Sequence, residues 1–297
     1  MKKVLCKLPI SGFGSQAHLL TICFTVGFHT QRTVILLSNT SQYSTDGWES
    51  FMLPLSDTCK TIGLNDTVVK VSNLTQIDNI SVIDIDLAHK YIDLTDALPR
   101  DLFLRIKQFN PNPSLWWAGQ IALYVFKPTK SFKHFLDKRQ KEFGIENVFV
   151  GVHIRRTDKI NEANYVNISK YMDVVEQWYT MYEKSHTGVE RKVFLATDEP
   201  DVVRCVKASY PNYQFINDFN ATIAASQKST RYTIHSLKTI IQDIHFLSMS
   251  DFLVCTMSSN VCRLAYELMQ THYGNASRNV KSLDKCYFIY GLTPYFC

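Results

Sequence analysis

The sequence predicts an α/β protein of two units, each a parallel sheet flanked by helices. Three observations carry that expectation. Within the first 37 residues a strand, a glycine turn, a helix and a second strand follow one another. From residue 147 onward, short apolar runs alternate with helical stretches, as in a doubly wound sheet. Between these regions, the breaker Asn110-Pro-Asn-Pro-Ser114 and a charged helical stretch lead to a boundary near residue 145.

Each element has its own signal. Lys3–Leu8 is an apolar strand, Ser11-Gly12-Phe13-Gly14-Ser15 a turn, Gln16–Phe28 a helix and Thr33–Leu37 a β-branched strand. Residues 56–95 read as irregular, exposed chain. Ser114 is placed to cap a helix through Trp116, Trp117 and Tyr124, and Lys127–Gly144 reads as an amphipathic helix. Asn147–Ile154, Val193–Ala196, Tyr213–Ile216 and Phe252–Val254 have the short apolar form of strands buried on both faces. Helices are expected behind Thr197-Asp198-Glu199-Pro200, over Ser236–Ser248 and over Val261–Tyr273. Two such units leave a cleft between them, with ligands beyond the C-terminal ends of the strands.

Composition excludes several classes. Hydrophobic residues make up 45% and aromatic residues 12% of 297, enough for a large core and too much for a disordered chain. Thirty-two basic against 27 acidic residues give a net charge of +5, too weak to argue for nucleic acid. The apolar run Leu19–Phe28 is about half the length that spans a bilayer. Met1-Lys2-Lys3 leads straight into a strand with no visible signal peptide, so the chain is either cytosolic or lacks its natural N-terminus. Eight cysteines include no C-x-x-C, which argues against a zinc ribbon or a thioredoxin-like site. Sequons start at Asn39, Asn65, Asn73, Asn79, Asn167, Asn220 and Asn275. Chance gives about two or three, so the excess favours the secretory lumen over a merely Asn-, Ser- and Thr-rich composition.

The strongest chemical signal is Gly151-Val-His-Ile-Arg155-Arg156-Thr157-Asp158-Lys159. Two arginines stand where a buried strand runs out, and a guanidinium fork can bind phosphate oxygens bidentately. A solvated turn of mutually paired charges is the other reading. Gly12-Phe13-Gly14-Ser15 before a helix can cradle phosphate, or be an ordinary tight turn. Asp243 stands between Ile241 and Ile244, where a carboxylate could read guanine's N–H edge or simply serve as a cap or ion-pair partner. Asp84-Ile-Asp86 has the D-x-D form of metal-dependent sugar transferases, but it lies in the sequon-rich region and at no recognisable strand end.

The segment around Arg155 resembles the donor motif of the α-1,6-fucosyltransferases, the core fucosyltransferases of N-glycans (glycosyltransferase family 23). The likeness continues through Leu195-Ala-Thr-Asp198, Tyr232-Thr233, Asp243-Ile-His-Phe-Leu-Ser, Asp251-Phe-Leu-Val-Cys-Thr256, Ser258-Ser259-Asn-Val-Cys262-Arg and Ala265-Tyr-Glu-Leu-Met-Gln270. It includes Thr30-Gln-Arg-Thr33, Gly47-Trp48-Glu49 and Trp116-Trp117, and so extends over nearly the whole chain in one order. The resemblance implies a GT-B-like fold, with an open-sheet α/β unit at 1–145 and a Rossmann-type unit at 146–297. It implies GDP-fucose as donor, an inverting and metal-independent reaction, and an N-glycan acceptor attacked through the 6-hydroxyl of its innermost GlcNAc. A Golgi-lumen location goes with it. The family's membrane anchor, stem and Src-homology-3-like domain have no counterpart in this chain.

Roles follow by position. Arg155 matches the arginine that holds the phosphates, with Arg156 beside it. His153 and Asp243 match base-contacting residues, Tyr43 a nucleotide-contacting tyrosine and Ser259 a phosphate-contacting serine. Gly14 and Ser15 fall in the diphosphate loop. Where the family has a cysteine pair around that loop, this chain has Ser11 and Ser15, which implies a missing brace and a more mobile loop. Glu162 matches the general base, with Lys159 as its charge partner, although the stretch between them is one residue shorter here. Asp158, Tyr171, Asp198 and Glu199 match positions on the acceptor side. The resemblance pairs Cys6 with Cys23 and Cys255 with Cys262. It matches Cys59 to a half-cystine whose partner would precede Met1. Two other expectations stand beside it: another fucosyltransferase, such as a protein O-fucosyltransferase, and a non-catalytic binder of GDP-sugar or glycan.

Overall fold

The structure is a computed structural model that describes residues 2–63, 66–71, 74, 76–85, 98, 100–157 and 165–288, with the backbone of 289 and 292–296. The first sheet comprises β1 (Lys3–Lys7), β2 (Thr33–Leu37), β3 (Val68–Val71) and β4 (Val82–Ile85), in the order β2-β1-β4-β3 and parallel throughout. The helix α1 (Phe13–His29) crosses from β1 to β2. Its apolar run is buried against β1, β2 and two later helices, so it is a core helix. Among the described residues no helix is long and apolar enough to cross a membrane.

Residues 56–95 depart from expectation. They are not simply irregular, because Val82–Asp84 pairs with Lys3–Leu5 and brings β4 to the middle of the sheet. The strand is four residues long and sits among sequons, which hid its aliphatic pattern. Asp84 of the D-x-D accepts an ion pair from Lys7 at 2.5 Å, and Asp86 lies outside the described residues.

Three helices follow: α2 (Arg100–Lys107), α3 (Pro113–Val125) and α4 (Lys130–Glu142). The cap of α3 is Asn112 rather than Ser114. The Asn112 Oδ1 accepts from Leu115 N–H at 3.2 Å, and Pro113 fills the first helical position, where no N–H is needed.

The second sheet is also parallel, in the order β7-β6-β5-β8-β9. Its strands are β5 (Val150–Ile154), β6 (Lys192–Thr197), β7 (Gln214–Ile216), β8 (Phe252–Cys255) and β9 (Val280–Ser282). Helices α5 (Ile168–Tyr182), α6 (Pro200–Ser209), α7 (Phe219–Ser226), α8 (Ile234–Met249) and α9 (Asn260–Tyr273) join them. An antiparallel pair, β10 (Tyr287–Ile289) and β11 (Leu292–Phe296), follows. β5 and β6 are buried along their whole length, as a strand covered on both faces must be.

One apolar cluster reaches both sheets. It includes Val4 and Ile83 from the first and Phe194 and Leu253 from the second. Helix α9 makes the join, packing on α8, α1 and α3. Its approach to α3 is so close that a Cβ on Gly119 would lie 2.3 Å from the Glu267 carbonyl oxygen. Disulfides Cys6–Cys23 and Cys255–Cys262 tie β1 to α1 and β8 to α9, as the resemblance implied.

Candidate functional site

In the second sheet the chain leaves β5 toward β6 on one side and returns through α8 to β8 on the other. The crevice at such a reversal, beyond the strands' C-terminal ends, is where open α/β sheets bind ligands. A cavity of about 210 Å³ lies there. Gly12 to Ser15 reach it from the first unit. His153 and Arg155 reach it from the end of β5, Asp243 from α8 and Ser259 from the start of α9.

The cationic side is built around Asp198. This carboxylate is 4% exposed and binds Arg155 Nη1 at 3.0 Å and Arg231 Nη2 at 3.0 Å. It also accepts from the Arg156 backbone N–H at 2.8 Å and the Thr157 hydroxyl at 2.5 Å. Asp198 thus holds two guanidiniums at the cavity wall, the Arg155 fork among them. Arg156 faces elsewhere. Its guanidinium stacks over Tyr165 at 4.8 Å and pairs with Glu199 at 3.6 Å, and neither Arg156 nor Glu199 lines the cavity.

Two helix starts face the same space. α1 begins at Gly12 and α9 at Ser259, and neither start has a side-chain cap. Their first turns thus keep the partial positive charge that favours an anion, with the Phe13 N–H itself given to the Tyr43 hydroxyl. The helix α1 begins three residues earlier than its periodicity predicts, so Gly14 and Ser15 belong to its first turn. Gly14 is required by packing: a Cβ there would lie 2.8 Å from Asn260 Cβ. The absent cysteine brace is replaced by polar ties. Phe13 N–H donates to the Tyr43 hydroxyl at 3.0 Å, and Asn260 Nδ2 donates to Ser15 Oγ at 2.7 Å. Tyr43 is itself buried against Tyr232, with ring centroids 5.5 Å apart, and burial pushes its phenol up.

His153 and Asp243 line the same cavity. His153 is 5% exposed, and its Nδ1 is buried without a partner. Burial, opposed by the Asp198 carboxylate and aided by the Arg155 guanidinium, brings its pKa down to about 4, so the ring is neutral near pH 7. Asp243 is pushed up to about 8 by burial and by the nearby Asp218 carboxylate.

Seven donor-side residues expected from sequence line this one cavity: Gly14, Ser15, Tyr43, His153, Arg155, Asp243 and Ser259. Tyr171 does not. It is 2% exposed within the second apolar cluster, its hydroxyl bonded to Thr256, and burial raises its pKa to about 12. Asp158, Lys159 and Glu162 lie outside the described residues. Arg231 and Tyr232 line the cavity without having been singled out. Tyr232 belongs to the matched segment and Arg231 directly precedes it, which was the available signal.

Comparison with known proteins gives a consistent result. The sequence model of the alpha-(1,6)-fucosyltransferase N- and catalytic domains matches residues 1–288. The chain is 41% identical over 294 residues to an alpha-(1,6)-fucosyltransferase of Drosophila melanogaster, covering 98% of this chain and 47% of that protein. It is 33% identical over 299 residues to one of Caenorhabditis elegans, covering 98% and 53%. It thus spans about half the length of the curated relatives it matches. Among solved structures it is similar to the fucosyltransferase NodZ from Bradyrhizobium, with TM-score 0.54, 13% identity and coverage of 89% and 91%. It is also similar to a mutant FUT1 of Arabidopsis thaliana in complex with GDP, with TM-score 0.61, 11% identity and coverage of 99% and 73%. At such identities the likeness is one of fold: parallel-sheet α/β, GT-B-like.

Proposed function

The chain belongs to the family of alpha-(1,6)-fucosyltransferase N- and catalytic domains, and from that membership we propose that it transfers L-fucose from GDP-β-L-fucose. The acceptor is the 6-hydroxyl of the innermost GlcNAc of an N-glycan. The observation that carries this reading is the cavity itself, lined together by Arg155, the starts of α1 and α9, His153 and Asp243. That set of groups suits a nucleoside diphosphate.

The reaction follows from these groups. The acceptor O6 forms a bond to fucose C1 as the bond from C1 to the β-phosphate oxygen breaks, and the anomeric centre inverts. Negative charge grows on the departing GDP, where Arg155 and the starts of α1 and α9 meet it. The sugar passes through an oxocarbenium-like state. The acceptor proton passes to Glu162, with Lys159 as its charge partner, as the family resemblance implies. Guanine's N–H edge is read by Asp243 in its ionised form. A metal has no assigned part in this scheme, and transfer should persist in EDTA.

The same reading treats 1–145 and 146–297 as two domains, the second Rossmann-type. Its strand order, with the reversal beside β5, supports this. A Golgi-lumen setting is supported by the Cys6–Cys23 and Cys255–Cys262 disulfides and by sequons at Asn39, Asn79, Asn167, Asn220 and Asn275, all exposed. The test is incubation with GDP-fucose and an agalactosylated biantennary glycopeptide, followed by mass spectrometry. Fucose on the inner GlcNAc is expected. GDP binding without turnover would leave a binding protein instead, and fucose on a peptide hydroxyl would indicate a protein O-fucosyltransferase.

A further inference from the structure

Asn260, the first residue of α9, links the two helix starts at the cavity. Its Nδ2 donates to Ser15 Oγ at 2.7 Å. Its Oδ1 accepts from Arg263 and from His18 Nδ1, the latter at 3.0 Å. His18 Nε2 lies 2.9 Å from Glu267 Oε1, which also accepts from the Tyr287 hydroxyl at 2.8 Å. His18, Arg263 and Glu267 are all buried, whereas Ser15 and Asn260 line the cavity.

The orientation of this chain of groups is determined by its ends. A guanidinium only donates, so the Asn260 amide must turn its oxygen to Arg263 and its nitrogen to Ser15. The Asn260 oxygen has no proton to give, so His18 Nδ1 donates to it. A serine hydroxyl has one proton and two lone pairs. With a lone pair of Ser15 engaged by Asn260, the proton remains for an acceptor in the cavity.

We propose that Asn260 is a positioning residue, held by His18, Arg263 and Glu267, that turns the Ser15 hydroxyl into a hydrogen-bond donor to the diphosphate. This rests on the reading of the cavity as a GDP-sugar site. It also gives the serine a purpose. The family resemblance places a half-cystine at this position, and a disulfide sulfur has no hydrogen to give. Here the covalent brace is exchanged for a polar one that carries a donor.

The experiment is calorimetric titration of the whole chain with GDP and with guanosine, for the unmodified protein, Ser15→Ala, Asn260→Ala and the double variant. Loss of a hydrogen bond to a charged group weakens GDP binding by about tenfold or more. Each single variant should show that loss, and the double variant should be no weaker than the weaker single, since Asn260 acts through Ser15. Guanosine affinity should not change. Unaltered GDP affinity in Ser15→Ala, multiplied losses in the double variant, or an equal loss for guanosine would each overturn the proposal. Ser15→Ala removes one partly exposed hydroxyl, so it decides the matter even if Asn260→Ala fails to fold. Failure of the unmodified chain to bind GDP is a separate result and would bring down the reading of the cavity.

Discussion

Arg155 and Asp243 show how side chains at one cavity acquire opposite tasks. Arg155 is fixed by its ion pair with Asp198, whereas Asp243 is desolvated and its pKa raised to about 8. Replacing Arg155 by Ala should remove transfer, a loss on the order of 2.7–4 kcal/mol in the barrier, with the fold intact by circular dichroism. Full activity in that variant would refute the role. For Asp243 the sign can be worked out. Its carboxyl ionises near 3.8 in the unfolded chain and near 8 in the fold, so the native state binds the extra proton. Stability therefore falls as pH rises from about 4 toward 8. Asp243→Asn should raise the unfolding midpoint at pH 8 by roughly 2 °C or more, while weakening GDP more than ADP. In the unmodified protein, GDP binding should release a proton and tighten between pH 6 and pH 8. Calorimetry in buffers of different ionisation enthalpy reads both, and a flat profile would count against base reading by Asp243.

At the scale of elements, the site depends on where helices begin and how closely they approach. The helix α9 is pressed against α3 at Gly119 and against the start of α1 at Gly14. Gly119→Ala places a methyl on a backbone carbonyl that cannot yield, and should destabilise by about 1–3 kcal/mol in urea titration. No change there would mean that the helices can separate without cost. Arg32, from the matched Thr30-Gln-Arg-Thr33, is an element-scale device too. Its guanidinium is buried and donates to the carbonyls of Ile77 and Ile80, at 2.6 and 2.8 Å, which fixes the chain leading into β4. The Cys6–Cys23 link closes a loop with a sequence separation of 17. Replacing both cysteines by Ser should cost about 3 kcal/mol or less, read from the denaturation midpoint.

For the molecule as a whole, the two sheets share one apolar cluster through α9. Unfolding should then be one cooperative event despite two sheets. Tryptophan fluorescence and far-ultraviolet circular dichroism should give coincident urea transitions. Two separated transitions would show that the units are energetically independent. The shared core also has a functional consequence. The glycine loop Gly12–Ser15 follows β1 of the first sheet and the arginine fork follows β5 of the second, so only a fixed relation between the sheets keeps them on one cavity.

The sequence by itself determined the alternation of strand and helix, the strand end that carries Arg155, and through its family likeness the Cys6–Cys23 and Cys255–Cys262 disulfides and seven residues that line one cavity. These are local signals, written in periodicity, breakers and motif spacing. It did not reveal β4, because a four-residue strand among sequons has too few side chains to show a pattern. Nor did it separate Arg155 from Arg156, adjacent residues that backbone geometry sends to opposite surroundings. The burial of Tyr171, the assignment of Asp198 to the arginine fork, and the chain from Glu267 through His18 and Asn260 to Ser15 were decided only by tertiary structure. Each depends on contacts between residues far apart in the chain, and such contacts exist only after the two sheets have closed on α9.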